Sequence, residues 1–547
     1  MANLTSYPLA NRPVAMGVNG MVASAHPLAS LAGLRILTDG GNAFDAAVAT
    51  ASTLNVVEPY MSGVGGIGLA LVYVAGEGRV RALDFSGRAP GAAEPARFTD
   101  ETTETGMLAP LVPGNVAGWL TLHETYGSMD RGRLFQSAIE HAEEGFPISR
   151  FNSLLMGKNE SRLSRFPSGK IILDGQGRGP RPGARLKLPQ LADSLRKIAK
   201  DGKETFYLGE LADRIVKGNR ELGGIFGADD LADYQARWQE PISIEYRGYR
   251  IHTPPPNSSG FQILQTLRLM EGLETPDMVF QHPATLHYFM ESVKLSVADR
   301  IKYAGDPDFV DIPVNGLLSD AYTSRQRQRI DRSQAAAVEG ERYAREAPPG
   351  SIVAGSPEEF DGGMTTHFAV ADRDGNVVSI TQTLGGGFGC AAAVGDTGIF
   401  LNNMAHWFDL VEGSPNLIGP RKRVDFVVAP THTLRNGRFL LSMGTPGSWG
   451  ILQTTPQLVT NVLDFGMDVQ EAIEAPRFRY FEGRRVTMEE RFPQYVRRAL
   501  EELGHEVEVL EPWSMSVGGA QGIAVDEESG MFQGGADPRR DGVALGW

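Results

Sequence analysis

The hydrophobic positions of this chain follow two different periods, one before and one after residue 365. Before it, apolar residues recur every three to four positions, as in helices, and Gly and Pro separate the helical stretches. The spacing predicts two small-residue helices within 27–58, broken at Gly40-Gly41. A strand pair is expected at 69–74 and 80–85, about a turn at 76–78. Further helices are predicted over the ranges 115–126, 134–144, 187–200, 207–221, 262–272 and 284–303.

Beyond residue 365 the pattern is typical of strands. The segments 367–372 and 376–383 flank Arg373-Asp374-Gly375, which is a strong hairpin signal. With a three-residue loop, counting back along the ladder puts Thr383 directly opposite Thr365. We therefore expect an α+β fold in which two sheets pack together between helices. The other hairpins predicted here are 431–435 with 438–443 and 522–526 with 531–534, and the covering helices are 451–465 and 494–504.

A stretch without periodicity precedes the strands. Residues 332–364 are rich in Ala, Glu, Gly, Pro and Ser, so we expect an exposed, flexible linker. Such a linker, followed by a strand that begins with Thr, suits a chain that cuts itself between Met364 and Thr365. A new N-terminal Thr carries nucleophile and base together, because its α-amine, with a pKa of about 7.7–8, can take the Oγ proton near neutral pH. Taken alone, a Thr-Thr pair more often simply starts a strand.

Composition mainly excludes functions. At 547 residues, with 41% hydrophobic and 22% charged residues, the chain is typical of a large globular protein. The net charge of −14 argues against nucleic acids and anionic membranes as partners. The N-terminus has no signal-peptide pattern and no segment approaches a transmembrane span, so we expect a cytoplasmic protein, and a periplasmic one only if a leader was removed.

We expect neither a metal nor another cofactor. Cys390 is the only cysteine, which excludes an internal disulfide and a cysteine-rich metal site. The histidines are scattered, without an HExxH motif, and His282 and His287 are expected to be surface or capping residues. The glycines of 63–68 fit a dinucleotide-binding pattern, but a helical segment precedes them and a strand follows, which is the reverse of the order that this pattern requires.

A series of motifs along the chain indicates which protein family the sequence resembles. The motifs are GMVASAHPLASLAGLRILTDGGNAFDAAVA (20–49), EPYMSGVGGIG (58–68), VPGNVAGW (112–119), YRGYRIHTPPPNSSG (246–260), GDPDFV (305–310), TTHFAVADRDGNVVSITQTLGGGFG (365–389) and LNN (401–403). Together they resemble the γ-glutamyltransferase family of N-terminal-nucleophile hydrolases over nearly the whole chain. The resemblance implies a four-layer αββα sandwich formed jointly by a large subunit, 1–364, and a small subunit, 365–547, from one precursor. Whether such heterodimers pair further is left open.

The resemblance also assigns catalytic roles. It implies that Thr365, the first residue of the Thr-Thr-His motif, is the nucleophile and, with Met364, the processing site. Thr383 matches the family threonine that supports the nucleophile. Gly447 and Ser448 match the glycine pair whose backbone amides form the oxyanion hole. Serine in place of the second glycine adds a side chain there.

The positions that recognise glutamate in the family differ in this chain. Ser86 stands where the family has an arginine for the α-carboxylate, and Arg88 lies two residues later, on the same side of an extended segment. Trp407 replaces the aspartate that holds the α-ammonium. The candidate substrate-binding residues are Arg88, Gly385, Asn403, His406, Trp407 and Phe426. Gly385 stands at the place of a family asparagine and Phe426-Val427 at that of a serine pair. For Arg88 an ordinary ion pair is the alternative interpretation, and for His406, Trp407 and Phe426 ordinary packing.

An indole cannot satisfy a buried ammonium group. We therefore expect an autoprocessing amide hydrolase whose substrate is an amide of a small carboxylate without an α-amino group. Such chemistry would be oxamate amidohydrolase-like or acylase-like and would pass through an acyl-enzyme. A true γ-glutamyltransferase or glutathione hydrolase is the first alternative. A non-catalytic binding protein on the same scaffold is the second.

Overall fold

Two large sheets lie face to face at the centre of the molecule. The computed structural model describes residues 10–274, 277–337 and 363–547. The strands of these residues are β1 (Ala15–Gly17), β2 (Gly20–Ser24), β3 (Ile67–Val74), β4 (Arg79–Phe85), β5 (Phe146–Pro147), β6 (Arg185–Leu186), β7 (Arg237–Gln239), β8 (Ile242–Tyr246), β9 (Tyr249–Thr253), β10 (Met364–Asp372), β11 (Val377–Gly385), β12 (Thr431–Arg435), β13 (Arg438–Gly444), β14 (Phe478–Tyr480), β15 (Arg485–Glu489), β16 (Glu506–Leu510), β17 (Gln521–Val525), β18 (Phe532–Ala536) and β19 (Val543–Gly546). One sheet has the order β19-β2-β10-β11-β3-β4-β7, and the other has the order β1-β18-β17-β13-β12-β9-β8.

Helices cover the outer faces of both sheets. They are α1 (Pro27–Thr38), α2 (Ala43–Val57), α3 (Asp100–Glu104), α4 (Asn115–Tyr126), α5 (Arg131–Glu144), α6 (Arg150–Lys158), α7 (Glu160–Leu163), α8 (Pro189–Asp201), α9 (Lys203–Tyr207), α10 (Glu210–Glu221), α11 (Ala228–Ala232), α12 (Phe261–Met270), α13 (Pro283–Tyr303), α14 (Val314–Leu317), α15 (Asp320–Arg327), α16 (Ile451–Leu463), α17 (Val469–Glu474) and α18 (Gln494–Glu502). None of the helices in this part of the chain has the length and apolar character needed to cross a membrane.

Alternation along β10 shows how the layers meet. Phe368 and Val370 belong to the apolar cluster shared with α1, α2, α4 and α5. Ala369 and Ala371 belong instead to a cluster that joins the two sheets and includes Ile523 of the other sheet. A third cluster packs the outer face of that other sheet against α12, α13 and α16. The αββα prediction is therefore confirmed.

Small side chains let α1 and α2 pack closely. Asn42 caps α2 by accepting hydrogen bonds from the amides of Phe44 and Asp45, and the Asp45 carboxylate accepts from the Asn42 amide in return. A Cβ built at Gly33 of α1 would collide with the Thr50 hydroxyl of α2. The helix break predicted at Gly40-Gly41 is thus confirmed, and with it the close helix contact.

The central hairpin has the predicted register. β10 and β11 pair antiparallel, with Thr365 opposite Thr383 and a register shift between Met364 and Thr365. β3 continues the sheet on the far side of β11, where Ile67 pairs with Thr383. The glycines of 63–66 lie between α2 and β3 and Gly68 lies in β3, so a helix precedes them and a strand follows, the order that argued against a dinucleotide site.

Some predictions were incomplete or wrong. The linker predicted over 332–364 is exposed at residues 332–334, as expected, but Ala335 is buried and its amide donates to the carbonyl oxygen of Leu503 at 2.7 Å. Residues 338–362 of that prediction lie outside the described residues. His282 caps α13, as expected, but His287 is buried in the same helix and is not a surface or capping residue.

Candidate active site

The start of β10 places Thr365 inside the sandwich. Thr365 is 4% exposed and shares its face of the strand with His367, so both side chains lie on the side of the facing sheet. A Cβ built at Gly444, at the end of β13, would collide with the His367 ring. Burial lowers the pKa of His367 to about 3, so this ring is neutral, and its Nδ1 lies 2.7 Å from Thr381 Oγ1. Thr366 points the opposite way, towards the helices.

Thr383 connects Thr365, the predicted nucleophile, to the Met364–Thr365 bond, the predicted cleavage site. Thr365 Oγ1 donates to Thr383 Oγ1 at 3.1 Å, and Thr383 Oγ1 donates to the Met364 carbonyl oxygen at 2.6 Å. The amide of Gly385 donates to the same hydroxyl at 2.8 Å, which fixes its orientation. The hydroxyl of Thr383 therefore polarises the Met364 carbonyl group next to the attacking oxygen.

The Gly447-Ser448 loop lies against the same segment. It follows β13 and leads through a short 3-10 turn, Ser448–Gly450, into the N-terminus of α16, where amide groups and the helix dipole favour negative charge. Gly447 has φ 138° and Ser448 has φ 53°, so the serine adopts the left-handed conformation that glycine prefers. A Cβ built at Gly363 would collide with the Ser448 Cβ. The residue before Met364 therefore contacts the loop that is predicted to bind the oxyanion.

Gly385, Asn403 and Trp407 form the adjoining wall. Gly385 has φ 96°, and a Cβ at this position would collide with Asn403 Oδ1 and lie 3.0 Å from Trp407 Cζ3. Asn403 accepts a hydrogen bond from the Gly386 amide at 2.7 Å and donates to the Glu104 carbonyl oxygen at 2.9 Å. The indole ring of Trp407 therefore lies against Gly385, which is two residues after Thr383. The resemblance implies a carboxylate at the position of this indole.

Phe426 and His406 lie around this wall at different depths. Phe426 is fully buried in one apolar cluster with Trp407. The half-buried His406 ring meets the indole of Trp407 edge to face, with ring centroids 5.5 Å apart. The immediate surroundings of Trp407 are thus largely apolar.

Arg88 stands apart from this group. Gly87 has φ 72°, so the segment after β4 is not extended there, and the alternation used to place Arg88 on the side of Ser86 does not apply. Ser86 Oγ instead contacts Asn257 Oδ1 at 3.3 Å. Arg88 lines a cavity of about 340 Å³ together with Tyr234, Asp233, Arg237 and Arg421. Burial and the nearby Arg421 charge lower its pKa.

A charged group behind the nucleophile was missed by the sequence analysis. Thr366 Oγ1 donates to Glu58 Oε2 at 3.0 Å, and Arg540 Nη1 donates to the carbonyl oxygen of Thr365 at 2.9 Å. Burial raises the pKa of Glu58 to about 7, against the opposing effects of Arg540 and the Thr366 hydrogen bond. Glu58 and Arg540 lie far from residue 365 in sequence, and no local pattern could have connected them.

One side-chain cluster has the composition of a metal site. The ligand atoms of His287, Glu291 and His505 lie within 4.8 Å of one another, and all three residues are buried. These groups already bind one another or their neighbours: His287 Nδ1 lies 2.8 Å from His505 Nε2, and Glu291 pairs with Lys294 at 2.7 Å. His505 comes from a distant part of the chain, which explains why ligand spacing did not reveal the cluster.

Comparison with known proteins identifies the family that the chain matches. The family model described as Gamma-glutamyltranspeptidase matches residues 29–547. The chain is 36% identical over 546 residues to the glutathione hydrolase-like YwrD proenzyme of Bacillus subtilis (strain 168), covering 97% of this chain and 99% of the relative. It is also 36% identical to the acylase ACY 1 proenzyme of Pseudomonas sp. (strain SE83), covering 97% and 94%. Among solved structures, cephalosporin acylase from Bacillus halodurans matches with a TM-score of 0.88 and 34% identity, covering 100% of this chain and 99% of that one.

Proposed function

Because the chain belongs to the gamma-glutamyltranspeptidase family, we propose that it is an autoprocessing N-terminal-threonine amide hydrolase acting on amides of small carboxylates that lack an α-ammonium group. Oxamate-type and acylase-type substrates both meet this description. The observation that carries the proposal is the contact of Trp407 with Gly385, beside Thr383 and the nucleophile. The premise is that the chain is an enzyme of this family, which has acylase and glutathione hydrolase relatives. The identity of the acyl group is what we propose.

Maturation begins from the hydrogen-bonded chain of Thr365, Thr383 and Met364. Thr365 Oγ attacks the Met364 carbonyl carbon, and the negative charge that develops on the carbonyl oxygen is stabilised by the Thr383 hydroxyl. The peptide C–N bond breaks, the proton of Oγ passes to the Thr365 nitrogen, which leaves as an amine, and an ester joins Met364 to Oγ. Water then hydrolyses the ester, leaving subunits 1–364 and 365–547.

Turnover uses the same oxygen with the new amine. The Thr365 amine takes the proton from Oγ as Oγ attacks the substrate carbonyl carbon, and then gives it to the departing nitrogen. The amides of Gly447 and Ser448 stabilise the oxyanion, with the N-terminal turn of α16 behind them. Water attacks the resulting acyl-enzyme, and the amine accepts its proton. The amine then returns this proton to Thr365 Oγ as the acyl–Oγ bond breaks and the acid leaves.

The wall beside the nucleophile decides the acyl group. A glutamyl substrate brings an ammonium group that needs a carboxylate or several acceptors once it leaves water. Trp407 is 5% exposed, and its ring provides apolar surface at this point. An acyl chain without the ammonium group, such as glutaryl or oxalyl, therefore suits this wall better.

Two chromogenic amides that differ only in that group test the proposal. We expect kcat/KM for glutaryl-p-nitroanilide to exceed that for γ-glutamyl-p-nitroanilide by about 100-fold, which corresponds to the several kcal/mol that a buried unpaired charge costs. Ammonia release from oxamate, measured in parallel, reports the shortest acyl group. Faster hydrolysis of the glutamyl compound would contradict the substrate assignment.

A true glutathione hydrolase remains the second candidate. It is favoured by the similarity to the glutathione hydrolase-like proenzyme of Bacillus subtilis, which extends over nearly the whole chain. It requires an ammonium acceptor other than residue 407. The same pair of anilides distinguishes the two candidates.

A further inference from the structure

Arg540 binds the residue that carries the nucleophile. It lies in the segment between β18 and β19, and its Nη1 donates to the Thr365 carbonyl oxygen at 2.9 Å. β2 pairs with β10 from Phe368 to Asp372, so Thr365 lies beyond the residues that this neighbouring strand reaches. At this end of β10 a guanidinium group provides the donor that a strand provides elsewhere.

The charge of Arg540 is buried and only indirectly balanced. Arg540 is 3% exposed, and the hydrogen bonds of its side chain in the described part of the chain go to the Thr365 carbonyl oxygen and, at 3.3 Å, to the sulfur of Met61. No ion pair with a carboxylate is among these contacts. An arginine keeps its proton even when burial lowers its pKa, so a full positive charge lies beside Thr365.

Covalent geometry brings that charge close to the future amine. The nitrogen and the carbonyl oxygen of one residue are separated by roughly 3–3.6 Å, so Arg540 Nη1 lies within about 6.5 Å of the Thr365 nitrogen. A like charge at such a distance disfavours protonation of an amine. Resting on the proposed use of the Thr365 amine as the base, we propose that Arg540 is a positioning residue that orients Thr365 through its carbonyl group and keeps its α-amine neutral.

The other charged groups near Thr365 determine how strongly Arg540 disfavours protonation of the Thr365 amine. Glu58 opposes Arg540, but burial raises its pKa to about 7, so it loses its charge as the pH falls. Asp537 is already paired with Arg477 at 2.7 Å and with Arg539 at 3.1 Å. Of the remaining neighbours, His367 stays neutral, Asp541 raises the pKa of Glu58, and Tyr60 is a neutral phenol because burial raises its pKa well above its usual value. Around neutral pH, where the amine loses its proton, Glu58 is therefore partly charged, and its remaining charge offsets part of the effect of Arg540.

The proton count of the reaction is unchanged by this assignment. The proton of Thr365 Oγ passes to the amine as the Oγ–C bond forms, and from the amine to the leaving nitrogen as the amide bond breaks. Arg540 keeps its own protons throughout. Its effect appears in the pKa of the free amine, which the acid limb of the kcat/KM profile reports.

The test compares pH profiles of fully processed enzyme with whichever of the two anilides it hydrolyses faster. We expect Arg540→Met to move the acid limb upward by about one pH unit, as the loss of a charge at this distance implies, while Arg540→Lys leaves it near the wild-type position. A lower kcat/KM with an unmoved acid limb in Arg540→Met would show a purely structural role and overturn the proposal.

A second variant covers the case in which Arg540→Met does not mature. Glu58→Gln removes the opposing charge, so its acid limb should move to lower pH, and an unmoved or raised limb would overturn the proposal. The amount of processed wild-type enzyme, measured by gel electrophoresis, separates this result from the proposed function. If wild-type protein is never cut before Thr365, the proposed function fails, whereas an unmoved limb in processed variants rejects only the role of Arg540.

Discussion

At the scale of single residues, one hydroxyl group connects the two halves of the proposed chemistry. Thr383 Oγ1 accepts from the nucleophile and donates to the carbonyl oxygen of the bond to be cut. A hairpin count from the sequence placed Thr383 opposite Thr365, because the register of a short hairpin depends only on local turn chemistry.

Removing that hydroxyl should slow maturation. Thr383→Val keeps the shape and the strand preference of the residue but loses the donor to the Met364 carbonyl oxygen, so we expect self-cleavage to slow about 100-fold. Thr383→Ser keeps the donor and should cleave near the wild-type rate. The half-time of precursor disappearance after synthesis measures both, and equal half-times for Val and Thr would contradict this role.

Changing the wall beside the nucleophile should change the substrate preference. Trp407→Asp supplies an acceptor for an ammonium group, and a charge-assisted hydrogen bond of this kind is worth about 1.5–3 kcal/mol. We therefore expect the glutamyl-to-glutaryl ratio of kcat/KM to rise by about 10-fold or more. Trp407→Phe is the matched control and should leave the ratio unchanged. If the glutamyl-to-glutaryl ratio does not change in Trp407→Asp, the acyl group binds away from residue 407.

Other residues of the site were beyond the reach of sequence reasoning. Glu58 and Arg540 reach Thr366 and Thr365 across separations of 308 and 175 residues, which only the folded sheet brings together. Arg88 was placed by strand alternation, and the positive φ of Gly87 removes the basis for that step. Its role as a carboxylate anchor stays a prediction.

At the scale of elements, the start of β10 is restricted by the loop after β13. Gly363 precedes the scissile bond by one residue, and its α-carbon faces Ser448 with no room for a methyl group. The uncut chain therefore occupies the surface of the loop that is predicted to bind the oxyanion.

Filling that contact should delay cleavage without affecting the finished enzyme. In Gly363→Ala the new Cβ meets Ser448, so we expect processing to slow by about 10-fold, as an overpacking cost of 1–3 kcal/mol implies. Once cut, the enzyme should show wild-type kcat/KM, because the altered residue belongs to the released end of the large subunit. Gly76→Ala, at a position with open space around it, is the control. Wild-type cleavage of Gly363→Ala would refute the steric argument.

Helices and strands with regular hydrophobic spacing were predicted more accurately than the others. The long helices and the three predicted hairpins were found because their spacing is regular over many residues. β2 was missed because it is only five residues long and fully buried, without alternation; β10 and β11 are also fully buried, but the turn signal between them revealed their hairpin. β8 and β9 form a further hairpin that the sequence analysis did not identify.

At the scale of the whole molecule, the two proposed subunits are interleaved. β10 lies between β2 of the large subunit and β11 of the small one, and β11 pairs in turn with β3 of the large subunit. Cutting the chain before Thr365 leaves these ladders intact, so the subunits should remain one particle.

A buried ion network near the C-terminus should make stability depend on pH. Burial alone would raise the pKa of Asp537, but Arg477, Arg539 and backbone amides lower it to about 2. Since the unfolded value is about 3.9, the stabilisation, about 2.5 kcal/mol, is present above pH 4 and lost as the pH falls towards 2. Asp537→Asn should lower Tm by several degrees at pH 7 and by less at pH 3, because at pH 3 the unfolded wild-type chain binds a proton at Asp537 that the folded protein does not yet bind. Thermal scans of this variant against exposed Glu502→Gln measure the effect, and a pH-independent difference would contradict it.

The central claim, that Thr365 cuts the chain before itself and becomes its N-terminal nucleophile, is tested most directly by the intact masses and N-terminal sequences of the purified protein. We predict two fragments that co-elute under native conditions, the smaller beginning Thr365-Thr366-His367, and a single uncut chain for Thr365→Ala. A wild-type protein that remains one chain, or a small fragment that begins at another residue, would contradict the account.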